Sequence, residues 1–369
     1  MRKTALVLFL IVPLSCISAF GEGKQTVTVN DMAGRKVTVP FDPDRIVCIG
    51  PGALRLMVYL QAQGKVVGVE DMEKRAPRGR PYWIAHPEMA KLPSCGPGGP
   101  AAINKKPDLE SLLSLNPQVI FVTYMDAELA NEVEQTLGIP VVVVSQGTFA
   151  TFDEAVYDAL CIVGKILNRV NRAEKIVSYI ESLRKDLAER TRDIQDTARP
   201  LVYVGGIGHR GSHGIESTKR DYFPLEWTNS NNAAEKIEAT IGSHVFTDKE
   251  TLLKLNPDII FIDGISLKMV EEDYKKNPEF YGALKAFAYK QVYALLPFNF
   301  YNTNLGTALA DAYAIGKILH PERFEDLDPE SKADEIYLFL VGKPVYQKMK
   351  EDFGAIGQAV NLADWASSQ

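Results

Sequence analysis

Cysteine is scarce in this 369-residue chain: Cys16, Cys48, Cys95 and Cys161 are all it has. None stands at the spacing of a zinc site. An odd number remains after the leader described below, which excludes a full disulfide framework. Cys48 falls in an apolar strand pattern and Cys161 in an apolar helix pattern, so both are expected in the core. Cys95 lies in a Gly-Pro stretch and is the one to test for reactivity. Long apolar runs are missing beyond the N-terminus, which excludes a spanning helix there, since one needs about 20 residues. Positive charge is in deficit, with 41 Lys and Arg against 47 Asp and Glu, net −6. That argues against a general nucleic-acid binder. No Walker A motif, G-x-S-x-G or H-E-x-x-H occurs, so an exported enzyme is only a distant alternative.

What is present begins with Met-Arg-Lys, a nearly unbroken apolar run over residues 5–14, and then small residues. This is the plan of a secretory signal peptide. Residues 1–21 are assigned to it, with cleavage after Ala19 or Gly21. A lipid anchor on Cys16 is the alternative, although Pro13 suits a lipobox poorly. Removing residues 1–21 takes away Arg2 and Lys3 and no acid, so the charge falls from −6 to −8. The expected location is periplasmic or otherwise extracytoplasmic.

Residues 110–121 read ESLLSLNPQVIF and residues 250–261 read ETLLKLNPDIIF. Eight of the twelve positions are identical, at an offset of 250 − 110 = 140 residues. Asp108 and Asp248 each stand two residues before the Glu. Each copy predicts a short helix with an Asp N-cap, closed by Asn-Pro, and then a β-branched strand. Two copies so far apart point to two similar lobes rather than a solenoid, whose periods run about 20–50 residues.

The rest of the chain fits that division. Residues 26–40 alternate as a hairpin around Asn30-Asp31-Met32-Ala33-Gly34. Strands are predicted at 46–49, 66–69, 119–123 and 141–144, then at 201–204 and 291–296. Residues 71–106 form a long Gly- and Pro-rich connection with Arg75, Arg78, Arg80, Tyr82 and Trp83. A helical stretch spans about 153–193, with Asn171 and Glu174 read as a fresh capping box. Its second helix, about 34 Å long at 1.5 Å per residue, is expected to strut one lobe to the other. An apolar helix is predicted at 305–319. The expected organisation is an N-terminal lobe at 22–150, connecting helices at 151–198 and a second lobe at 199–369. The expected fold is α/β, each lobe a mostly parallel sheet flanked by helices.

The signal peptide, the Asp31-Met32-Ala33-Gly34-Arg35 hairpin, the Ile46-Val47 strand, the paired Glu-x-Leu-Leu-x-Leu-Asn-Pro units and the interlobe helix together resemble the class III substrate-binding proteins. Those serve ABC importers of iron chelates, haem and corrinoids, and some take molybdate. The resemblance implies a ligand clamped between two lobes and no catalysis. It implies that Glu110 and Glu250 dock on an ABC permease dimer, and the protein is expected to be a monomer. Taken alone, each Glu would merely complement a helix dipole, worth about 0.3–1 kcal/mol. The expected solute is a ferric siderophore, haem or corrinoid, with an oxyanion such as molybdate as the alternative.

Ligands in open α/β sheets sit outside the carboxyl ends of the strands. That nominates Arg55, Arg78, Arg80, Tyr82 and Tyr124 from the first lobe. The second offers His209, Arg210, His213, Ser217, Thr218, Lys219, Tyr301, Asn302 and Asn304. Basic loop residues and helix N-termini suit an anion. Arg78, Arg80 and Arg210 are expected to supply its countercharge without a role in folding. His209 and His213 are four apart, but in a Gly-rich loop that spacing gives no helical face for a metal. Gly206-Ile207-Gly208-His209-Arg210-Gly211 matches G-x-G-x-x-G after a strand, yet no amphipathic helix follows, so a dinucleotide site is not expected.

Overall fold

Parallel strands buried on both faces need apolar residues at every position, and Ile46–Ile49 and Val119–Thr123 are buried throughout. The computed structural model describes residues 25–75, 77–148, 151–208, 211–238 and 244–367. The expected signal peptide, Cys16, His209 and Arg210 lie outside them.

The strands in chain order are β1 Thr26–Asn30, β2 Lys36–Pro40, β3 Ile46–Ile49, β4 Val66–Gly68, β5 Val119–Thr123, β6 Val141–Val144, β7 Leu201–Gly205, β8 Ser217–Lys219, β9 Asn231–Asn232, β10 His244–Phe246, β11 Ile259–Asp263 and β12 Val292–Leu295. One parallel sheet has the order β4-β3-β5-β6 and the other β9-β7-β11-β12. Numbered within its own sheet, each reads 2-1-3-4. The duplicated units therefore supply the third strand of each sheet, β5 and β11. The order reverses beside the first strand, which places a crevice at the carboxyl ends of β3 and β5, and of β7 and β11.

Seven helices position the site: α1 Ala53–Tyr59, α2 Leu109–Leu115, α3 Ala155–Ile166, α4 Val170–Thr191, α5 Lys249–Leu255, α6 Leu305–Leu319 and α7 Pro329–Val341. The duplicated helices α2 and α5 are built alike. Asp108 and Asp248 accept from the backbone N–H of Ser111 (3.0 Å) and Thr251 (2.6 Å). Asn116 and Asn256 close them in the left-handed region, at φ 46° and 41°, which Asn tolerates better than most residues.

The hairpin β1–β2 sits on the edge of β6. Met32 N–H donates to Val143 O at 2.9 Å, and Asp31 accepts from Val143 N–H at 3.2 Å. Arg35 ties Asp31 to Glu134. α4 is 22 residues long, about 33 Å at 1.5 Å per residue. One apolar core runs from β3, β5 and β6 through α1, α3, α4, α6 and α7 to β7 and β11. α6 is buried along its first twelve residues.

Four readings are corrected. Cys161 is exposed and Cys95 is buried. Helix α3 turns Ala159, Leu160 and Val163 inward and leaves Cys161 outside, whereas the backbone N–H of Cys95 bonds to Val69 O under β4. Asn171 is not a cap: α4 starts at Val170, because Asn168 at φ 54° already ends α3 and Arg169 N–H closes back on Gly164 O. Residues 71–106 carry short helices at Asp71–Arg75 and Pro81–Ala85.

Candidate functional site

The segment after β12 reaches the loops past the carboxyl ends of β4, β5 and β6, through Glu70, Tyr124 and Thr151. Residues 297–304 read Pro-Phe-Asn-Phe-Tyr-Asn-Thr-Asn. Tyr301 and Asn302 both have positive φ, 48° and 76°, and so does Tyr124 opposite them, at 58°. Non-glycine residues in that region are strained, and such strain clusters at ligand clamps and switches.

Arg55 holds this segment from below. Its guanidinium donates to Thr303 O (2.6 Å), Tyr301 O (2.9 Å) and Asn302 O (3.1 Å), and also to Asn304 Oδ1 (3.1 Å) and Gln146 Oε1 (3.2 Å). It is 1% exposed. Every one of these acceptors is neutral, and among the described residues Arg55 forms no ion pair. Gln146, 6% exposed, has its Nε2 buried without a hydrogen-bond partner among the described residues. Gly52 must be glycine there: its φ is +85°, and a Cβ would lie 2.1 Å from Gln146 Nε2. A small cavity of about 10 Å3 is lined by Arg55, Tyr59, Gln146, Thr151, Asp153 and Thr303, among others.

Two further contacts latch the lobes. Asn302 Nδ2 donates to Tyr124 OH at 2.7 Å. Tyr301 OH donates to Glu70 Oε2 at 2.6 Å and accepts from Gly99 N–H at 2.9 Å. Glu70 also accepts from Gly50 N–H at 3.0 Å. Burial pushes the Glu70 carboxyl up to about 7, against the pull of the Tyr301 hydroxyl and Gly50 N–H. Burial likewise lifts the Tyr124 phenol to about 12.

The remaining nominees have other places. Arg80 is buried and ion-paired with Glu73, whose carboxylate also accepts from Tyr82 OH at 2.8 and 3.0 Å. Burial raises the Glu73 carboxyl, with Arg80 the first of the groups opposing it. Arg80 and Tyr82 thus serve a buried network, and the expectation that Arg80 has no role in folding is corrected. Arg78 is exposed and donates to Asp352 O at 2.6 Å, across Phe353. Ser217 and Thr218 are buried strand residues whose hydroxyls donate to Ile207 O (2.6 Å) and Val204 O (2.7 Å). Lys219, also buried, pairs with Asp221 at 2.6 Å. His213 lies half-buried with its ring 5.0 Å from that of Phe246. Among the described residues no group of three or more His, Cys, Asp or Glu could hold a metal ion. Asn304 uses its amide to fix Phe298 O and Phe300 O.

Arg55, Tyr124, Tyr301, Asn302 and Asn304 are therefore brought together. Glu70, Gln146 and Thr303 join them, and sequence reasoning passed over these three. Glu70 and Gln146 both lie two residues past the end of a parallel strand, and that position was the available signal.

Glu110 and Glu250 occupy the first turns of α2 and α5 and are exposed. Among the described residues no helix is long and apolar enough to cross a membrane.

Residues 46–297 match the family described as periplasmic binding protein. The molybdate-binding protein MolA of Haemophilus influenzae is 27% identical over 331 residues, covering 84% of this chain and 89% of that one. Its solved structure with molybdate bound superposes with a TM-score of 0.66 at 23% identity, over 86% of this chain and 98% of that one. A periplasmic solute-binding protein of Veillonella parvula superposes at 0.69 with 18% identity, over 93% and 99%. The Helicobacter pylori protein CeuE with Ni(II) bound gives 0.60 at 23% identity, over 86% and 96%.

Proposed function

Because this chain belongs to the periplasmic binding protein family and is a substrate-binding protein of an ABC transporter, we propose that it binds a small oxyanion of the molybdate type between its lobes, delivers it to a membrane permease and catalyses nothing. One observation carries the choice of solute. Arg55 is a buried cation with only neutral partners at the point where the lobes meet. The Glu73 carboxyl feels the Arg55 charge but is already ion-paired with Arg80, so an anion at this junction would meet a buried cation that has no ion pair of its own. Gln146 Nε2 is the adjacent donor without a partner.

Size points the same way. The lobes touch directly through Tyr301–Glu70 and Asn302–Tyr124. The cavity beside Arg55 holds roughly one water-sized group,. A tetrahedral oxyanion is larger than this cavity and needs these contacts released, but it asks for a far narrower opening than haem or a siderophore does. The sequence ranks a metal chelate first and an oxyanion second; a buried Arg55 with no ion pair of its own supports the opposite order. The 27% identity with a molybdate-binding protein supports it further. Glu110 and Glu250 are proposed as the docking points, one on each duplicated unit.

Titration calorimetry of the purified protein with molybdate, tungstate, sulfate and a ferric siderophore tests this. Molybdate or tungstate should bind, and Gln146→Leu should weaken binding at least about tenfold, the loss of one hydrogen bond to a charged ligand. Heat with the siderophore and none with any oxyanion would overturn it.

A further inference from the structure

Seven large apolar side chains stand well exposed among the described residues, and two of them are Leu113 (53%) and Leu253 (36%). These are the same position of the duplicated unit, 253 − 113 = 140 residues apart. A single exposed Leu needs no explanation. The same exposure at the same register of two separate lobes does.

The fold does not require it. α2 buries Leu112 and Leu115, and α5 buries Leu252, against their sheets. The position after Leu112 or Leu252 points outward, where a polar residue would serve the helix equally well. Each exposed Leu lies three residues after the exposed Glu, so acid and Leu are neighbours on one helical face. Each helix runs back along the strand that follows it, which brings its first turn to the carboxyl edge of the sheet. Contacts agree with that. A Cβ at Gly96 would lie 3.6 Å from that of Asp108, and Gly96 O accepts from Asp71 N–H just past β4.

We propose that Leu113 and Leu253 are a matched pair of apolar knobs that seat in two equivalent sockets of a two-fold symmetric membrane permease, each socket bordered by a cation that meets Glu110 or Glu250. This rests on the docking role proposed above and adds its apolar half. Acidic points steer the encounter and set orientation, and their effect fades with salt. An apolar knob that loses its exposed area holds the complex and keeps its effect in salt.

The test uses the mature protein and its membrane permease in lipid nanodiscs, with affinity measured at about 50 mM and about 500 mM NaCl. Leu113→Ser and Leu253→Ser should each weaken docking about tenfold, at both salt concentrations. Leu338→Ser, at a position on α7 as exposed as Leu113, should leave docking unchanged. All three should keep the parent melting temperature and the parent affinity for molybdate. If the Leu double variant docks normally while Glu110→Ala with Glu250→Ala does not, the knobs are refuted and acidic docking stands. Normal docking by both double variants refutes the docking role itself, and the knobs with it. An equal loss with Leu338→Ser, or a fall in melting temperature for the Leu variants, also overturns the assignment.

Discussion

Arg55 and Arg80 are both arginines with almost no exposure in the N-terminal lobe, and their partners give them opposite roles. Arg80 faces the Glu73 carboxylate, so removing it strands a buried acid. Arg80→Ala should lose about 3–5 kcal/mol of stability by denaturant unfolding, while exposed Arg78→Ala should stay within about 0.5 kcal/mol. Arg55 faces carbonyls of the crossing segment, and its loss should abolish oxyanion binding and free residues 300–304 to proteolysis. Glu70 adds a pH dependence with a definite sign. Its carboxyl rises from 4.5 to about 7 through burial under Tyr301. A raised acid gives stability that is fully present below its unfolded value and is lost as the pH climbs through about 7. The shift corresponds to about 3 kcal/mol. Glu73, Tyr301 and the Gly50 N–H face it, and Asp263, likewise lifted to about 7 by burial, acts in the same direction elsewhere. Glu70→Gln should therefore melt at the same temperature as the parent near about pH 5 and above it near about pH 8. Equal melting shifts at both values would remove Glu70 from the latch.

The duplicated helix–strand unit was legible in full from sequence: its Asp cap, its Asn-Pro stop and the strand behind it all stand where the pattern puts them. So was α6, whose bounds match because it is apolar on most sides. Local chemistry decides such elements. The site was only half legible, because its parts meet by tertiary contact. A helix start points to Arg55, but nothing local says that its hydrogen bonds end on residues 300–304. A loop position does not imply exposure, as buried Arg80 shows, and the polar run at Ser217 and Thr218 hides a buried strand. Between the two units one difference matters. Glu250 is already paired with Lys254 at 2.7 Å, whereas the residue four after Glu110 is Ser114. An exposed pair of this kind adds little to stability, but it offers a partner's cation a competitor. Glu110→Ala should therefore reduce solute uptake in cells more than Glu250→Ala, with ligand affinity unchanged in both. Glu250→Lys should be worse than Glu250→Ala, since it places a repulsive charge at the contact. Uptake equal to the parent in the Glu110→Ala, Glu250→Ala double variant would return both residues to helix capping.

At the scale of the whole molecule, the interlobe helix and the continuous core set how far the lobes can part. Residues of both sheets share one apolar cluster with α4, α6 and α7. Arg172 on α4 reaches Tyr59 O and Phe339 O together, so the strut is fixed at its start to α1 and α7. At its far end Tyr313 of α6 donates to Asp186 at 2.8 Å. Wide hinge motion needs a few residues free to rotate, and a packed helix of 22 residues offers few. Opening is expected instead at the carboxyl edges, by release of Tyr301 from Glu70 and Asn302 from Tyr124. The strained φ values of Tyr124, Tyr301 and Asn302 favour that release when no ligand spans the gap,. Solution scattering checks it: the radius of gyration should sit near about 20 Å and fall by less than about 1 Å on saturation with molybdate. Over the same titration, amide exchange should slow around residues 298–304 and stay constant along α4. A large drop in radius, or slowed exchange in α4 itself, would show that the helix takes part in closure and that the rigid link lies elsewhere.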